Sequence, residues 1–268
     1  MKIKRNLALI IGYILSGIII LMVLISLFWT PHVPTAIDAT NRMSPPTLTH
    51  LFGTDHMGRD IFSRVLDGAG TTLYIALGTV LIGSVGGILI GAVCGYIGGW
   101  LDEIFMRLSD ALTAFPTVLL ALLVVSLTGP GTENLIWVLG ILFIPSFARV
   151  LRGEFARCKN LDYISRARLL GASRLRIMFV HILPNTLPVF LSSVAIGFNN
   201  AVLAEASMSF LGIGVQLPDV SLGGMLSDSL GYLFLAPWFA LSTGAVIVST
   251  VLGFSLISDG LQERTRNA

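Results

Sequence analysis

Charged residues are absent from five long stretches of this chain: 6–37, 68–101, 111–132, 182–204 and 229–258. A helix needs about 20 consecutive apolar residues to cross a bilayer's hydrocarbon core, and each stretch is at least that long. The apolar residues run continuously, without the period-two alternation of a barrel strand. The pattern therefore predicts an all-α membrane protein. Turn chemistry divides it at Gly98-Gly99, Gly129-Pro130-Gly131, Pro184-Asn185 and Pro237. Six spans follow: Leu7–Phe28, Thr71–Gly98, Phe105–Thr128, Leu135–Leu151, Thr186–Leu211 and Trp238–Ser258. The fourth has a short charge-free core and contains Pro145. Residues 1–70 then form one region, the first span with a polar segment, and 71–268 a five-helix core with a polar loop at 152–185.

Composition removes whole classes of function. Charged residues make up 12% of the 268, against about 25% in a soluble domain, which excludes a soluble globular enzyme. Cys94 and Cys158, one in an apolar run and one in a basic loop, read as reduced thiols. Leu7–Trp29 is longer than a signal-peptide core and no small-x-small site follows it, so the first span is expected to be retained.

The placement of the bases predicts an orientation. Thirteen of seventeen fall on one side of a six-span fold: Lys2, Lys4 and Arg5, the cluster from Arg149 to Arg176, and Arg264 and Arg266. Both termini and the 152–185 loop are then cytoplasmic, and 30–70 and 212–236 face outward.

Gly83, Gly87, Gly91, Gly95 and Gly99 recur every fourth residue along the second span. Such a stripe lets another backbone approach closely. It fits either packing within this chain or an interface with another subunit. Residues 55–69 read as an interfacial helix: Thr54 or Asp55 offers an N-cap, and Ile61, Phe62, Val65, Leu66 and Ala69 make one face. Arg59, Asp60, Ser63, Arg64 and Asp67 lie opposite, with Asp60 and Arg64 spaced as an i,i+4 ion pair. Asp55, His56 and Asp60 also have the composition of metal ligands. Capping and ion pairing already explain them, so no metal ligand is assigned. Glu205 stands alone in an apolar helix, with Asn199 and Asn200 one to two turns before it. A buried acid costs a few kcal/mol unless paired or wetted. Glu205, Asn199 and Asn200, with Gly87, Gly91 and Gly95, are therefore expected at a translocation path or a helix interface.

The densest motif runs from Asp162 to Pro184. Asp162 can cap a short helix to Leu170, Gly171 can end it in a left-handed conformation, and Ser173 can cap a second helix that Pro184 stops. A helix–Gly–helix elbow carrying both bases and leucines suits a groove on another protein; it also suits a membrane surface.

Here the sequence resembles a known family. Gly171, nine residues, then His181-Ile-Leu183-Pro184 is similar to the cytoplasmic Glu-Ala-Ala loop of ATP-binding-cassette (ABC) importer permeases. Ser165-Arg166-Ala167 replaces the Glu-Ala-Ala itself, and His181 replaces an Ile. The run from His50 through Gly53, Asp55, Gly58, Arg59 and Asp60 to Arg64 resembles the outer-loop signature of permeases in dipeptide, oligopeptide and nickel importers. The run from Glu205 through Leu211, Gly212 and Gly214 to Gln216 resembles their fifth-helix segment. The likeness spans about Ala8 to Leu261 and is to the second permease subunit of these heterodimers.

The resemblance implies a MetI-like type I importer permease fold in a bacterial cytoplasmic membrane. It implies a second homologous permease, two cytoplasmic ATPases and an extracytoplasmic solute-binding protein as partners, besides membrane lipid and without nucleic acid. Asp162, Arg166, Ala167, Leu169, Gly171 and Ala172 become candidates for coupling to the ATPases. Asp55, Arg59, Asp60 and Arg64 become candidates for docking the binding protein, beside the reading that their helix merely tethers two spans. The chain lacks Gly-x4-Gly-Lys-Ser/Thr, His-Glu-x-x-His and Gly-x-Ser-x-Gly. It is expected to be no enzyme and to bind no cofactor, with ATP and Mg2+ used by partner subunits. The rival reading, a secondary transporter acting alone, calls for an inverted repeat that the two halves do not display. Peptides, nickel and metal chelates all remain open as substrates.

Overall fold

The structure, a computed structural model, describes residues 2–267, and for 2–7, 261 and 263–267 it describes the backbone only. The orienting bases Lys2, Lys4, Arg5, Arg264 and Arg266 thus carry side chains outside the described set. Helices α1 (Lys2–Ser26), α2 (Ile61–Ile97), α3 (Gly99–Thr113), α4 (Thr117–Thr128) and α5 (Thr132–Cys158) come first. Two short elements, α6 (Asp162–Leu169) and α7 (Arg174–Arg176), lead through a π turn (Ile177–Ile182) into α8 (Leu183–Phe210). Helices α9 (Leu222–Leu230) and α10 (Pro237–Asn267) complete the chain. Among the described residues, five helical rods are long and apolar enough to cross a membrane, and α3 with α4 makes a sixth crossing if the bent pair counts as one.

The glycine stripe sets the central packing. A Cβ at Gly87 would strike Phe147; at Gly91 it would lie 2.6 Å from the Ala148 carbonyl oxygen, and at Gly95 2.5 Å from that of Arg152. The stripe is therefore filled by α5 of the same chain. Gly99, the fifth rung, takes no part: it has φ +69° and open space around it, and serves the turn. The contacts rise together along both helices, so α2 and α5 are parallel. The chain must then return between Ile97 and Thr132 over at least the height from Gly78, seated on Ile136, to Gly95, seated on Phe155, about 26 Å of helix.

That return corrects the expected third span. Phe105–Thr128 is not one helix: α3 and α4 meet at 89°. Arg107 and Asp110 fall in its first half, and charges of this kind are excluded from hydrocarbon. Instead α3 lies across the bundle end and is tied to α5 by Arg152, bidentate on Asp102 at 2.7 and 2.8 Å, and by Arg149 on Asp110 at 2.8 Å. Helix α4, 12 residues and about 18 Å long, makes the return with the linkers on either side.

Two further expectations fail on continuity. The 55–69 interfacial helix does not exist as a unit: α2 starts at Ile61, capped by Asp60, and runs unbroken for 37 residues. The division at residue 70 therefore cuts through a helix. Pro184 does not stop a helix either, since Arg174–Phe210 is one rod. Proline removes an i→i−4 bond, and the wider π turn just before it absorbs the loss: Leu183 N–H bonds back to the Met178 carbonyl, five residues away.

Helices α1 and α10 pack antiparallel through small residues. Gly12 lies against Leu256, Gly253 against Ser16 and Gly260 against Leu9. Both chain ends are thus at the same end of the bundle.

Candidate functional site

Three places in this fold carry chemistry. The first is a groove of about 420 Å³ between α4, α5 and α8. Its α8 wall presents Ser193, Ile196, Gly197, Asn200, Leu203, Ala204 and Ser207, a repeat of three and four that keeps one helical face. Helix α5 contributes Leu142, Phe143, Ser146, Phe147 and Val150 at the same period, and Thr117 and Val118 start α4. The wall is thus apolar with hydroxyl and amide rungs. Asn200 is exposed to the groove, whereas Ser193 and Ser207 donate to carbonyls of their own helix at 2.7–3.2 Å. Phe147 seats against Gly197, where any Cβ would overlap its ring. A larger hollow of about 1020 Å³ lies between α1, α2 and the start of α5. Its lining joins aliphatic residues of α1 and α2 with polar groups at one end, among them Asp67, Tyr74, Glu133 and Asp219.

The second place is the elbow at the far end of α5. Gly171 has φ +82°, and its N–H bonds to the Arg168 carbonyl while that of Ala172 bonds to Ala167, both at 3.1 Å. This is a Schellman close, which a left-handed glycine permits. Ser173 accepts from Arg176 N–H and caps α7. Asp162 is not the cap of α6; Leu161 holds that position without a side-chain bond, leaving Asp162 to complement the helix dipole in the first turn. One face of the elbow is anchored, with Ile164 and Ile177 buried. The other presents Leu169 at 88%, Leu170 at 87% and Leu175 at 68% exposure, flanked by exposed Arg166, Arg168 and Arg174. Apolar residues this bare at the tip of a rigid turn mark a contact surface.

The third place is the opposite end, where the 27–60 segment folds onto α2, α9 and α10. Asp55 is fully buried. Its Oδ1 accepts from the N–H groups of Met57 (2.8 Å) and Arg59 (3.0 Å), and its Oδ2 from Arg59 Nε at 2.7 Å. Arg64 Nε lies 3.6 Å from the same oxygen, and Arg64 Nη2 3.9 Å from Asp228. Asp60 caps α2 by accepting from Ser63 N–H (2.8 Å) and Oγ (2.6 Å), and its Oδ1 faces His50 Nδ1 at 3.0 Å. The expected Asp60–Arg64 pair does not form. Gly53 (φ +75°) and Gly58 (φ +80°) make the turns, each with a backbone carbonyl or indole where a Cβ would sit.

Glu205 belongs to this end. It is fully buried, off the groove, and its Oε1 accepts from Ser209 Oγ at 2.7 Å. Ser209 Oγ in turn accepts from Val215 N–H at 3.1 Å. Gly212, at φ +78°, closes α8 with a second Schellman pair, Gly212 to Ser209 and Ile213 to Met208. Gly223 then lets α9 lie against the Ala206 backbone. Glu205 therefore holds a helix end and its return turn. Asn199 turns away to α10, where its amide, with O and N assigned by their hydrogen-bond partners, bridges the Val251 carbonyl (3.1 Å) and Ser255 N–H (3.0 Å).

Residues 87–266 match the family described as "Binding-protein-dependent transport system inner membrane component". The chain belongs to that family. The permease is 36% identical to the dipeptide transport system permease protein DppC of Alkalihalophilus pseudofirmus, over 98% of its own length and 86% of that relative's. It is 36% identical to the DppC of Haemophilus influenzae, over 97% of its own length and 90% of that relative's. It is 39% identical to the glutathione transport system permease protein GsiD of Escherichia coli O6:K15:H31, over 91% and 82%. It is thus the permease component of an ABC importer and a multi-pass membrane protein, not an enzyme and not a secondary transporter working alone.

Against the expectations from sequence, the permease distributes its candidate residues unevenly. Asp162, Arg166, Ala167, Leu169, Gly171 and Ala172 converge on the elbow. Asn200 alone of Asn199, Asn200 and Glu205 lines the groove, and Gly87, Gly91 and Gly95 make a helix interface. Asp55, Arg59, Asp60 and Arg64, the docking candidates, are each at most 6% exposed and hold the loop together. His56 stacks on Tyr232 at 5.1 Å between ring centres and does not join Asp55 and Asp60. Sequence reading missed Ser146, Ser193 and Ser207. The spacing of Ser193, Asn200 and Ser207, seven residues apart each time, was the available signal.

Proposed function

We propose that the permease forms half of the translocation path for short peptides and that its α6–α7 elbow is the seat of a cytoplasmic ATPase. The observation that carries the coupling role is the bare leucine tip, Leu169, Leu170 and Leu175, held rigid by the Gly171 turn and ringed with arginines. The base-rich 149–176 region supports a cytoplasmic position for this end under the positive-inside rule. Both chain ends lie together through the α1–α10 pair, which supports cytoplasmic termini on a six-crossing count. The remaining partners in this reading are a second homologous permease, which closes the open groove, a second ATPase and an extracytoplasmic solute-binding protein. The binding protein would dock on the end formed by α9 and the 27–60 segment. ATP and Mg2+ act in the ATPases rather than in this chain.

A peptide substrate is supported by the names of the relatives and by the groove's chemistry. Hydroxyl and amide rungs offer hydrogen bonds to a peptide backbone, and Phe143 and Phe147 offer apolar contact. The groove's lining holds no His, Cys, Asp or Glu, which disfavours nickel and metal chelates. ATP-driven closure of the ATPases would move the elbow and shift the bundle between outward and inward openings.

The test is substrate-stimulated ATP hydrolysis by the complex reconstituted with its ATPases and binding protein. Gly171→Val forces a β-branched residue to positive φ. It is expected to cut the stimulation about tenfold, within the usual range of coupling free energies, while the permease stays folded. Unchanged stimulation and transport would overturn the coupling role. For the path, Asn200→Leu should lower transport by up to about tenfold, the worth of one hydrogen bond to the solute, with its thermal midpoint unmoved. Equal transport by that variant removes Asn200 from the path.

A further inference from the structure

We propose that His32, His50 and Asp60 bind one divalent transition-metal ion of the zinc class, which clasps the 27–60 segment to the start of α2. The three residues come from separate parts of the chain, yet one ligand atom from each lies within 4.8 Å of the others. His50 Nδ1 is 3.0 Å from Asp60 Oδ1, and His32 Nδ1 is 3.7 Å from Asp60 Oδ2. Ligands in a tetrahedral zinc shell stand about 3.3 Å apart, given bonds of about 2.0–2.1 Å. The two separations to Asp60 bracket that value, and the third, between the imidazole nitrogens, is no more than 4.8 Å and closes as the rings turn.

Two features separate this cluster from an ordinary hydrogen-bonded loop. His32 Nδ1 is buried and has no hydrogen-bond partner, although its backbone N–H is fixed by Ser63 Oγ at 3.0 Å. The rings of His32 and His50 are stacked at 4.6 Å between centres with 28° between their planes, so the two imidazoles are already adjacent and have to splay for both nitrogens to point at one ion. Asp60 keeps its Oδ2 bonds to Ser63 and offers Oδ1 to the ion. Two imidazoles and one carboxylate suit zinc, nickel, cobalt or ferrous iron. The His32 side chain, 41% exposed, gives an entry path and leaves room for water as the fourth ligand. This proposal does not depend on the transport reading.

The experiment uses the full-length, untagged chain in detergent micelles, stripped with chelator and titrated with Zn2+ alone by calorimetry. Wild type is expected to take up one equivalent. His32→Phe and His50→Phe, which keep a stacked ring but lose a ligand atom, should each bind tenfold or more weakly. In chelator both variants should melt with wild type, and Zn2+ should raise only the wild-type midpoint. Absence of a stoichiometric site in wild type overturns the proposal, as does equal affinity in both variants. A variant that melts early even in chelator is replaced by His32→Gln, which must show the same loss of binding.

Discussion

Gly91→Leu yields permease that no longer packs α2 against α5 and is lost to aggregation when extracted in mild detergent. The cause is the approach of two backbones. Even a methyl group at position 91 lies 2.6 Å from the Ala148 carbonyl oxygen and 2.8 Å from Leu151 Cβ, and neither can swing aside as a flexible side-chain end would. Overpacking a well-filled core costs about 1–3 kcal/mol, and a clash with main chain belongs at the top of that range for alanine and beyond it for leucine. The measurement is the midpoint of unfolding in mixed micelles for Gly91→Ala, with retention on size exclusion for Gly91→Leu. Gly153→Ala on α5 is the control, since open space surrounds that position, and its midpoint should move by less than the equivalent of about 1 kcal/mol. If Gly91→Ala unfolds with wild type, the glycine stripe is not the seam between these helices.

Asp55→Ala has the second large effect, at the opposite end of the bundle. It removes the counter-charge from Arg59 and Arg64, which are 6% and 3% exposed, and deprives two backbone N–H groups of their acceptor. Breaking a buried pair from one side costs about 3–5 kcal/mol. The loss should show first as proteolytic cleavage within 30–60, with a lowered thermal midpoint. Asp55→Asn keeps a carbonyl for Met57 and Arg59 N–H but loses the charge, and should fall between. Wild-type protease resistance in Asp55→Ala would mean that the loop is held by other contacts, Gly53 on Trp238 and Gly58 on Asp38 among them.

Much of the architecture was legible before folding because the bilayer imposes its requirement locally. An uncharged run of about 20 residues marks a passage through the bilayer whatever its neighbours are, even where, as in 111–132, it is not one straight helix, and the breaks at Gly98-Gly99, Gly129-Pro130-Gly131 and Pro237 sit where the helices end. The elbow was legible for the same reason. A Schellman close needs only Gly171 and the turn before it, and an N-cap only Ser173. Pro184 misled because its missing N–H demanded compensation, and the π turn that supplies it leaves no mark in the pattern of apolar residues.

What depended on partners distant in the chain could not be read. The polar side of residues 59–67 has the periodicity of a face turned to water. Periodicity reports that a face is polar, not what covers it, and here the 27–60 segment and α9 cover Arg59, Asp60 and Arg64. The glycine stripe declared a close approach but not to which helix; the parallel α5, reached only after the α3–α4 return, decides that. His50 and Asp60 lie in one sequence run but His32 lies outside it, and only the folded loop brings the three together over the start of α2. The sequence by itself determined the membrane, the turns and the elbow, since each is settled within a few residues by solvent and backbone sterics. The tertiary structure alone decided which charges are buried and which polar groups share a groove, because those depend on long-range packing.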